Sequence, residues 1–457
     1  MRMFRRSAAR LALIAALAAP PPAAATGEET RLSLSEARGA AARLLHEGRA
    51  ASALVLADGV LLGDPDDVQG LLLRSRALRD MGRPDDALEA AQAAWQQAGT
   101  GRDRFFTAMV LAQAQASGGN KAVAQYWLRR AAQIAPDDRL RAVAVRDFRH
   151  VRRITPWRLS VDLTFQPSDN INGAPKTNTF TFAGLPFVNP TAVPVSGLRY
   201  GADVDYVYRV GLDKSSRLNL GVGLEVERVR LSSSAKRKLP GLRASDFRED
   251  ALSLSLGYER RGGEGRWLGA AELSVTRRWV AGELLSDALR LQLSHDRVLA
   301  PRWEMGARLA GERDHRHDLA ARSSTSTELG FDLTHRFDHG ALRLDLMGAE
   351  TRSDSRSIAR DTRRVALAYA LARPVKGMLP RVVASYEEVD FDLAPASFWT
   401  EPRRDREYGL ALDVLLPGLD YYGFAPEIGV SWSDRRSNYS LYETEGTDLR
   451  LGLRSVF

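Results

Sequence analysis

Side chains able to carry out chemistry are few in this chain, and most of them fall in one place. Asp314-His315-Arg316-His317-Asp318 sets two imidazoles between two carboxylates, a pattern able to hold a metal ion or a haem. His295-Asp296 and His335 add further candidate bases. A hydrolase would need a nucleophile beside such a base, and no Ser stands in a Gly-x-Ser-x-Gly elbow. The chain has no Cys, which removes thiol nucleophiles, thiolate metal sites and disulfides together. Residues 314–318 therefore read as a charged loop. No catalytic residue, metal or cofactor is assigned, and an enzyme is not expected.

The other candidate residues would bind or gate, and two kinds of element must position them. From 30 to 153 the sequence is Ala- and Leu-rich with helical spacing, and it repeats. Gly48, Gly82 and Gly119 mark the repeat. Small residues precede each of them (Ala41, Ser75, Ala112) and follow each of them (Ala53, Ala87, Ala124), with Pro65, Gly99 and Pro136 further on. Small residues at helix crossings, a Gly in the turn and a breaker at the end define a helix-turn-helix unit. Units are expected at about 34–67, 68–101 and 105–138, with a final helix over 138–153. Their pattern resembles the tetratricopeptide repeat, whose stacking leaves a concave face. Arg38, Gln69, Arg76, Arg79 and Gln113 fall on that face as candidate peptide-binding residues, with a merely solvated surface as the plainer reading of the Arg.

At Pro156-Trp157 the period changes from helical to two. Pro156 stops the helix, and strands are expected at about 157–167, 199–210, 217–229, 249–260, 266–278, 287–298, 303–313, 325–337, 341–351, 362–373, 381–391, 405–415, 424–434 and 444–457. Leu218, Leu220, Val222, Leu224 and Val226 alternate with Asn219, Gly221, Gly223, Glu225 and Glu227. Leu449, Leu451, Leu453 and Phe457 alternate with Arg450, Gly452 and Arg454. An Arg facing lipid near the midplane costs about 2–4 kcal/mol, so the apolar face meets lipid and the charged face a watery lumen. Short turns such as 213–216 and 338–340 alternate with mostly longer loops such as 168–198 and 231–248, as in outer-membrane barrels. The fold expected is α plus transmembrane β: N-terminal tetratricopeptide-like helices (30–153), then a fourteen-stranded antiparallel barrel (156–457). Strand 444–457 closes on strand 157–167. Asp169, Asn170 and Asn172, where the first strand leaves the membrane, are candidate gate residues at that seam, with turn-forming as the plainer reading.

Four Arg precede a short apolar run, a Pro20–Pro22 break and Ala23-Ala24-Ala25, a secretory signal peptide over 1–25. No later apolar run is long enough for a spanning helix. The net charge of +8 is spread along the chain, which gives no nucleic-acid patch. The expected location is the bacterial outer membrane with the helices in the periplasm.

Pro156-Trp157, Phe148 and the strand ending in Ser168-Asp169-Asn170-Ile171-Asn172 resemble the barrel start of the surface lipoprotein assembly modulator family. The helical units are degenerate, so no client contacts carry over. The resemblance implies an outer-membrane translocator that delivers client lipoproteins, or a secreted haemophore-like protein, from periplasm to cell surface. Phe457, by its resemblance to the ending of outer-membrane barrels, implies an assembly signal, with the outer-membrane barrel assembly machinery and the lipid bilayer as partners. A polysaccharide-export or diffusion porin on a helical scaffold is the alternative. Fourteen strands about 4.8 Å apart and tilted about 40° give a backbone diameter of roughly 28 Å. Side chains narrow it below the size of a folded client, so an unfolded client would have to thread the lumen or leave through the seam.

Overall fold

The computed structural model describes residues 32–99, 101–182, 185–397 and 399–457; the expected signal segment, 1–25, lies outside these. The chain forms two compact units, dividing after Gln97.

The first unit holds α1 (Leu34–His46), α2 (Ala50–Gly63), α3 (Val68–Asp80) and α4 (Pro84–Gln97). Helix starts follow from local chemistry. Ser33 and Glu36 form a reciprocal capping box on α1, Asp67 caps α3 and Pro84 opens α4. Hydrogen bonds from Ser33 hold the Glu36 carboxyl below its ordinary pKa. Ala41, Ala53, Ala57, Ser75, Ala87 and Ala91 are almost wholly buried. These are the small repeat positions, and they let helix backbones approach closely.

The second unit opens with α5 (Gly101–Ser117), α6 (Lys121–Ile134) and α7 (Asp138–Ile154). Ala112, Ala124 and Leu128 occupy the matching positions and are buried. Gly48, Gly82 and Gly119 all have φ between 74° and 86°. In each case the next residue's N–H reaches back five residues, Arg49 to Leu44, Arg83 to Leu78 and Asn120 to Gln115. This is a left-handed helix stop that favours Gly. The first two helical hairpins fall within 34–67 and 68–101, and the third, α5 and α6, starts at Gly101, four residues before the expected 105.

After Thr155 and Pro156 the chain enters β1 (Trp157–Ser168). The barrel continues through β4 (Gly197–Gly211), β5 (Ser216–Leu231), β6 (Glu249–Gly262), β7 (Trp267–Val280), β8 (Glu283–Ala300) and β9 (Trp303–Arg316). It is completed by β10 (Ser324–Arg336), β11 (Gly340–Ser353), β12 (Arg360–Leu371), β13 (Leu379–Phe391), β14 (Arg404–Leu415), β15 (Phe424–Ser437) and β16 (Thr444–Ser455). These fourteen strands form a closed antiparallel barrel in which β1 meets both β4 and β16. Closure removes both sheet edges, as a lipid-facing sheet requires. Lipid-side residues such as Leu254, Leu291, Leu410 and Leu453 are about half exposed, since bilayer rather than protein covers them.

Three details differ from expectation. Residues 279–286 form no loop: β7 and β8 continue to a two-residue turn, where Ala281 has φ 54° and Gly282 φ 89°. Positive φ at both positions matches strand twist. The loop after β1 carries its own hairpin, β2 (Thr179–Phe182) with β3 (Leu185–Val188), and the loop after β5 carries α8 (Ser233–Lys238). Finally, β16 stops at Ser455, so Phe457 lies beyond the ladder and off its lipid face.

Candidate functional site

The seam is where the sheet is least regular. β1 pairs with β4 at every residue from Trp157 to Ser168. Against β16 its Cα partners are Phe165↔Leu451 and Ser168↔Asp448. In that register Ser455 would face Val161, so residues 157–160 overhang the end of β16. Both strands keep the expected faces. Leu449, Leu451 and Leu453 are exposed toward lipid. Arg450 reaches Asp413 (2.7 Å) and Glu427 (3.2 Å), and Arg454 reaches Glu427 (3.3 Å), across the lumen wall. The lumen is charged elsewhere too. Arg290 bridges Glu312 and Glu328, and Arg343 bridges Asp332 and Asp345. Asp162, Asp203 and Glu225 are successive cross-strand partners on β1, β4 and β5. A wall so lined requires water inside the barrel.

At the outer end of the seam the loop after β1 folds back over β15 and β16. Lys176 N–H donates to Glu443 O at 2.8 Å. Its ammonium pairs with Asp434 and lies 3.6 Å from Glu445. The Asp434 hydrogen bond, more than any other contact, raises the Lys176 pKa above its ordinary value. Asp169 accepts from Thr447 N–H at 3.4 Å, directly across the seam. Asn170 and Asn172 do not cross it. Asn170 accepts from Ala174 N–H and donates to Ala174 O, both at 2.8 Å. Asn172 donates to Val193 O (3.0 Å) and accepts from Val195 N–H (3.1 Å). Between them Ile171 is buried with Val195, Val229, Leu231 and Ala235. The two Asn thus fix the loop on its own core, and Asp169 touches the neighbouring strand.

At the periplasmic end, helices α6 and α7 meet the barrel rim. Arg129 donates to Tyr422 O (2.7 Å) and Ser455 Oγ (3.0 Å). Its guanidinium carbon sits 4.5, 4.3 and 5.3 Å from the ring centroids of Phe148, Phe424 and Phe457. Burial, reinforced by the Arg152 charge, lowers its pKa to about 10, so it stays cationic at neutral pH. Phe457 packs edge-to-face on Phe148, with centroids 5.7 Å apart. Arg152 donates to Phe457 O (3.3 Å), and Arg141 pairs with Asp420 at 2.6 Å. Tyr126 stacks on Tyr422 at 6.3 Å. The i+4 spacing of Lys121, Gln125, Arg129 and Gln133 was visible in the sequence, but their partners lie up to about 330 residues away in the chain and were not.

The remaining candidates are dispersed. In the first unit Gln69 and Arg76 are exposed, while Arg38 pairs with Asp67 (3.0 Å) and Arg79 with Asp80 (2.8 Å). Gln113 belongs to α5 in the second unit and is half buried. The 314–318 cluster is largely not a loop, because Asp314, His315 and Arg316 continue β9. His317 Nε2 lies 3.0 Å from Asp287, which Arg277 also holds at 2.7 Å. Asp318 pairs with Arg316 (2.7 Å) and Arg322 (3.0 Å). Arg316 above all holds the Asp318 carboxyl well below the usual carboxylate range. These carboxylates neutralise arginines. Among the described residues no three His, Cys, Asp or Glu converge as ligands.

A family model described as surface lipoprotein assembly modifier matches residues 157–457, the whole barrel. No curated protein matches the chain. Similar solved structures include a loop-deletion mutant of OmpT, an outer membrane protein of Vibrio cholerae. It is 9% identical, covers 66% of this chain and 99% of its own, and has a TM-score of 0.35. A bacterial polysaccharide outer membrane secretin is 11% identical over 65% of this chain and 98% of its own, with a TM-score of 0.35. The type III secretion translocator chaperone SycD of Yersinia enterocolitica is 16% identical over 27% of this chain and 88% of its own, with a TM-score of 0.23.

Proposed function

The chain belongs to the surface lipoprotein assembly modifier family, and from that premise we propose that this outer-membrane barrel, its helices in the periplasm, moves specific client proteins to the cell surface. The clients are surface lipoproteins or a secreted haemophore-like protein. The observation that carries the reading is the family match over every barrel strand.

The tetratricopeptide-like helices take up an incompletely folded client, through exposed Gln69 and Arg76 with Arg38 and Arg79 in the first unit, and through Gln113 in the second. The charged, wet lumen suits an unfolded polypeptide, and the sparsely laddered seam offers a lateral exit. Asp169, Asn170 and Asn172 shape the outer side of that exit. Phe457 acts as the signal read by the barrel assembly machinery during insertion. Folding of the client outside gives the movement its direction.

The test is a client locked by an engineered disulfide before export. Threading predicts that locking abolishes surface display and that reduction restores it. Undiminished display of the locked client would refute threading. Ion conductance of the purified protein, lowered by a periplasmic client, separates this reading from a diffusion porin.

A further inference from the structure

Four polar residues of α6 are spaced by four, Lys121, Gln125, Arg129 and Gln133. That spacing sets them on one helix face. Together they hold the entry to β1, the end of β16 and the neighbouring β14–β15 turn. Lys121 Nζ donates to Ile154 O (3.2 Å) and Gln125 Nε2 to Thr155 Oγ1 (3.1 Å), on the residues that lead into β1. Arg129 holds Ser455 at the end of β16 and Tyr422 in the β14–β15 turn. Gln133 Oε1 accepts from Tyr422 N–H at 2.8 Å.

Sheet pairing does not do this job there. Residues 157–160 of β1 overhang β16, so no ladder joins the two strands at the periplasmic rim. Thr155 is buried and donates to Val151 O (2.7 Å), so the entry to β1 moves with α7. One helix therefore links the start of the first barrel strand to the end of the last. A guanidinium seated among three rings loses several contacts at once when it leaves.

We propose that α6 is a clamp on the seam, with Lys121, Gln125 and Arg129 as positioning residues that hold the periplasmic ends of β1 and β16 together, and Gln133 bracing Tyr422, which Arg129 also holds. Release of α6 opens the seam from that end. The clamp rests on the transport reading only for its biological use, as the control on a client's exit. Its geometry stands without a client.

The chain has no Cys, so introduced pairs report alone. Leu163→Cys with Leu453→Cys bridges the seam in the β1–β16 register. Leu344→Cys with Leu367→Cys bridges cross-strand partners on β11 and β12 as the control. Under a mild oxidant, Arg129→Ala should lower the seam disulfide yield several-fold and leave the control yield unchanged. Gln125→Ala with Gln133→Ala removes only neutral hydrogen bonds and should show the same selective loss, smaller, even if Arg129→Ala fails to insert. An unchanged seam yield in the inserted variants, or an equal fall in both pairs, overturns the clamp. Client display in the same cells separates the two ideas. A loosened seam with unaltered display upholds the clamp and counts against seam exit, whereas altered display with an intact seam overturns the clamp.

Discussion

Gly423 sits where the barrel rim, α6 and Phe457 converge, and replacing it with Ala should loosen all three. Its φ is 73°. An added Cβ would lie 2.6 Å from Phe457 Cδ2 and 2.7 Å from Arg129 Nη1. A left-handed φ costs Ala about 1–2 kcal/mol. Displacing the Phe457 ring forfeits its edge-to-face contact with Phe148, about 1 kcal/mol, and weakens a desolvated cation–π contact worth about 1–2 kcal/mol. Gly377 is the matched control, with φ 79° and nothing within 4 Å of its Cβ position, so Gly377→Ala carries the backbone cost alone. The excess of about 2 kcal/mol corresponds to a roughly 30-fold larger local opening constant. Val456 N–H donates to Gly423 O at 2.9 Å, which makes the peptide covering 449–457 the reporter. Hydrogen exchange read by mass spectrometry should accelerate there and over 121–134 in Gly423→Ala, and in neither segment in Gly377→Ala. Equal exchange in the two variants would refute the packing reasoning.

Further outcomes follow from the same structure. Lys176→Ala removes the cation bridging to Asp434 and should weaken the outer strap by about 1 kcal/mol, a modest value for a partly exposed pair, seen as faster proteolytic nicking within 169–196. Because the folded Lys176 pKa is raised above 10.5, its contribution is complete below that value and is lost only as pH rises through the raised one. Nicking should therefore stay constant from neutral to mildly alkaline pH, and rise only where strong acid protonates the Asp434 partner. Asp169→Ala, Asn170→Ala and Asn172→Ala together should speed hydrogen exchange across 169–196 and reduce client display; normal display would remove these residues from the gate. Leu410→Arg places a charge on the lipid face and should cost about 2–4 kcal/mol in folding into lipid vesicles. Ala411→Arg, one residue along and facing the lumen, should cost far less.

Most of the barrel was legible because lipid enforces a simple code. Leu252, Leu254 and Leu256 alternating with Ser253 and Ser255 admits one orientation of β6, and a slip by one residue would bury every serine's neighbour on the wrong face. The helical hairpins were legible because Gly48, Gly82 and Gly119 occupy left-handed stops. Strand ends were less so. The alternation of Leu449, Leu451 and Leu453 runs on to Phe457 in the sequence, yet the ladder ends at Ser455 and the ring turns to α7. The His-Asp cluster suggested a ligand set by proximity in sequence, but Arg316 and Arg322 take the Asp318 carboxylate and His317 turns to Asp287, which Arg277 also holds. The α6 face was hidden for the opposite reason. Lys121, Gln125, Arg129 and Gln133 read as an ordinary polar stripe, and only barrel closure brings Tyr422 and Ser455 beneath it.

Transport of a client is tested most directly by protease treatment of intact cells that carry an exported lipoprotein client, with and without this chain. The structure and family predict that the lipoprotein is digested at the surface only when the chain is present and its barrel is inserted. Equal digestion with and without the chain would contradict a role in delivery.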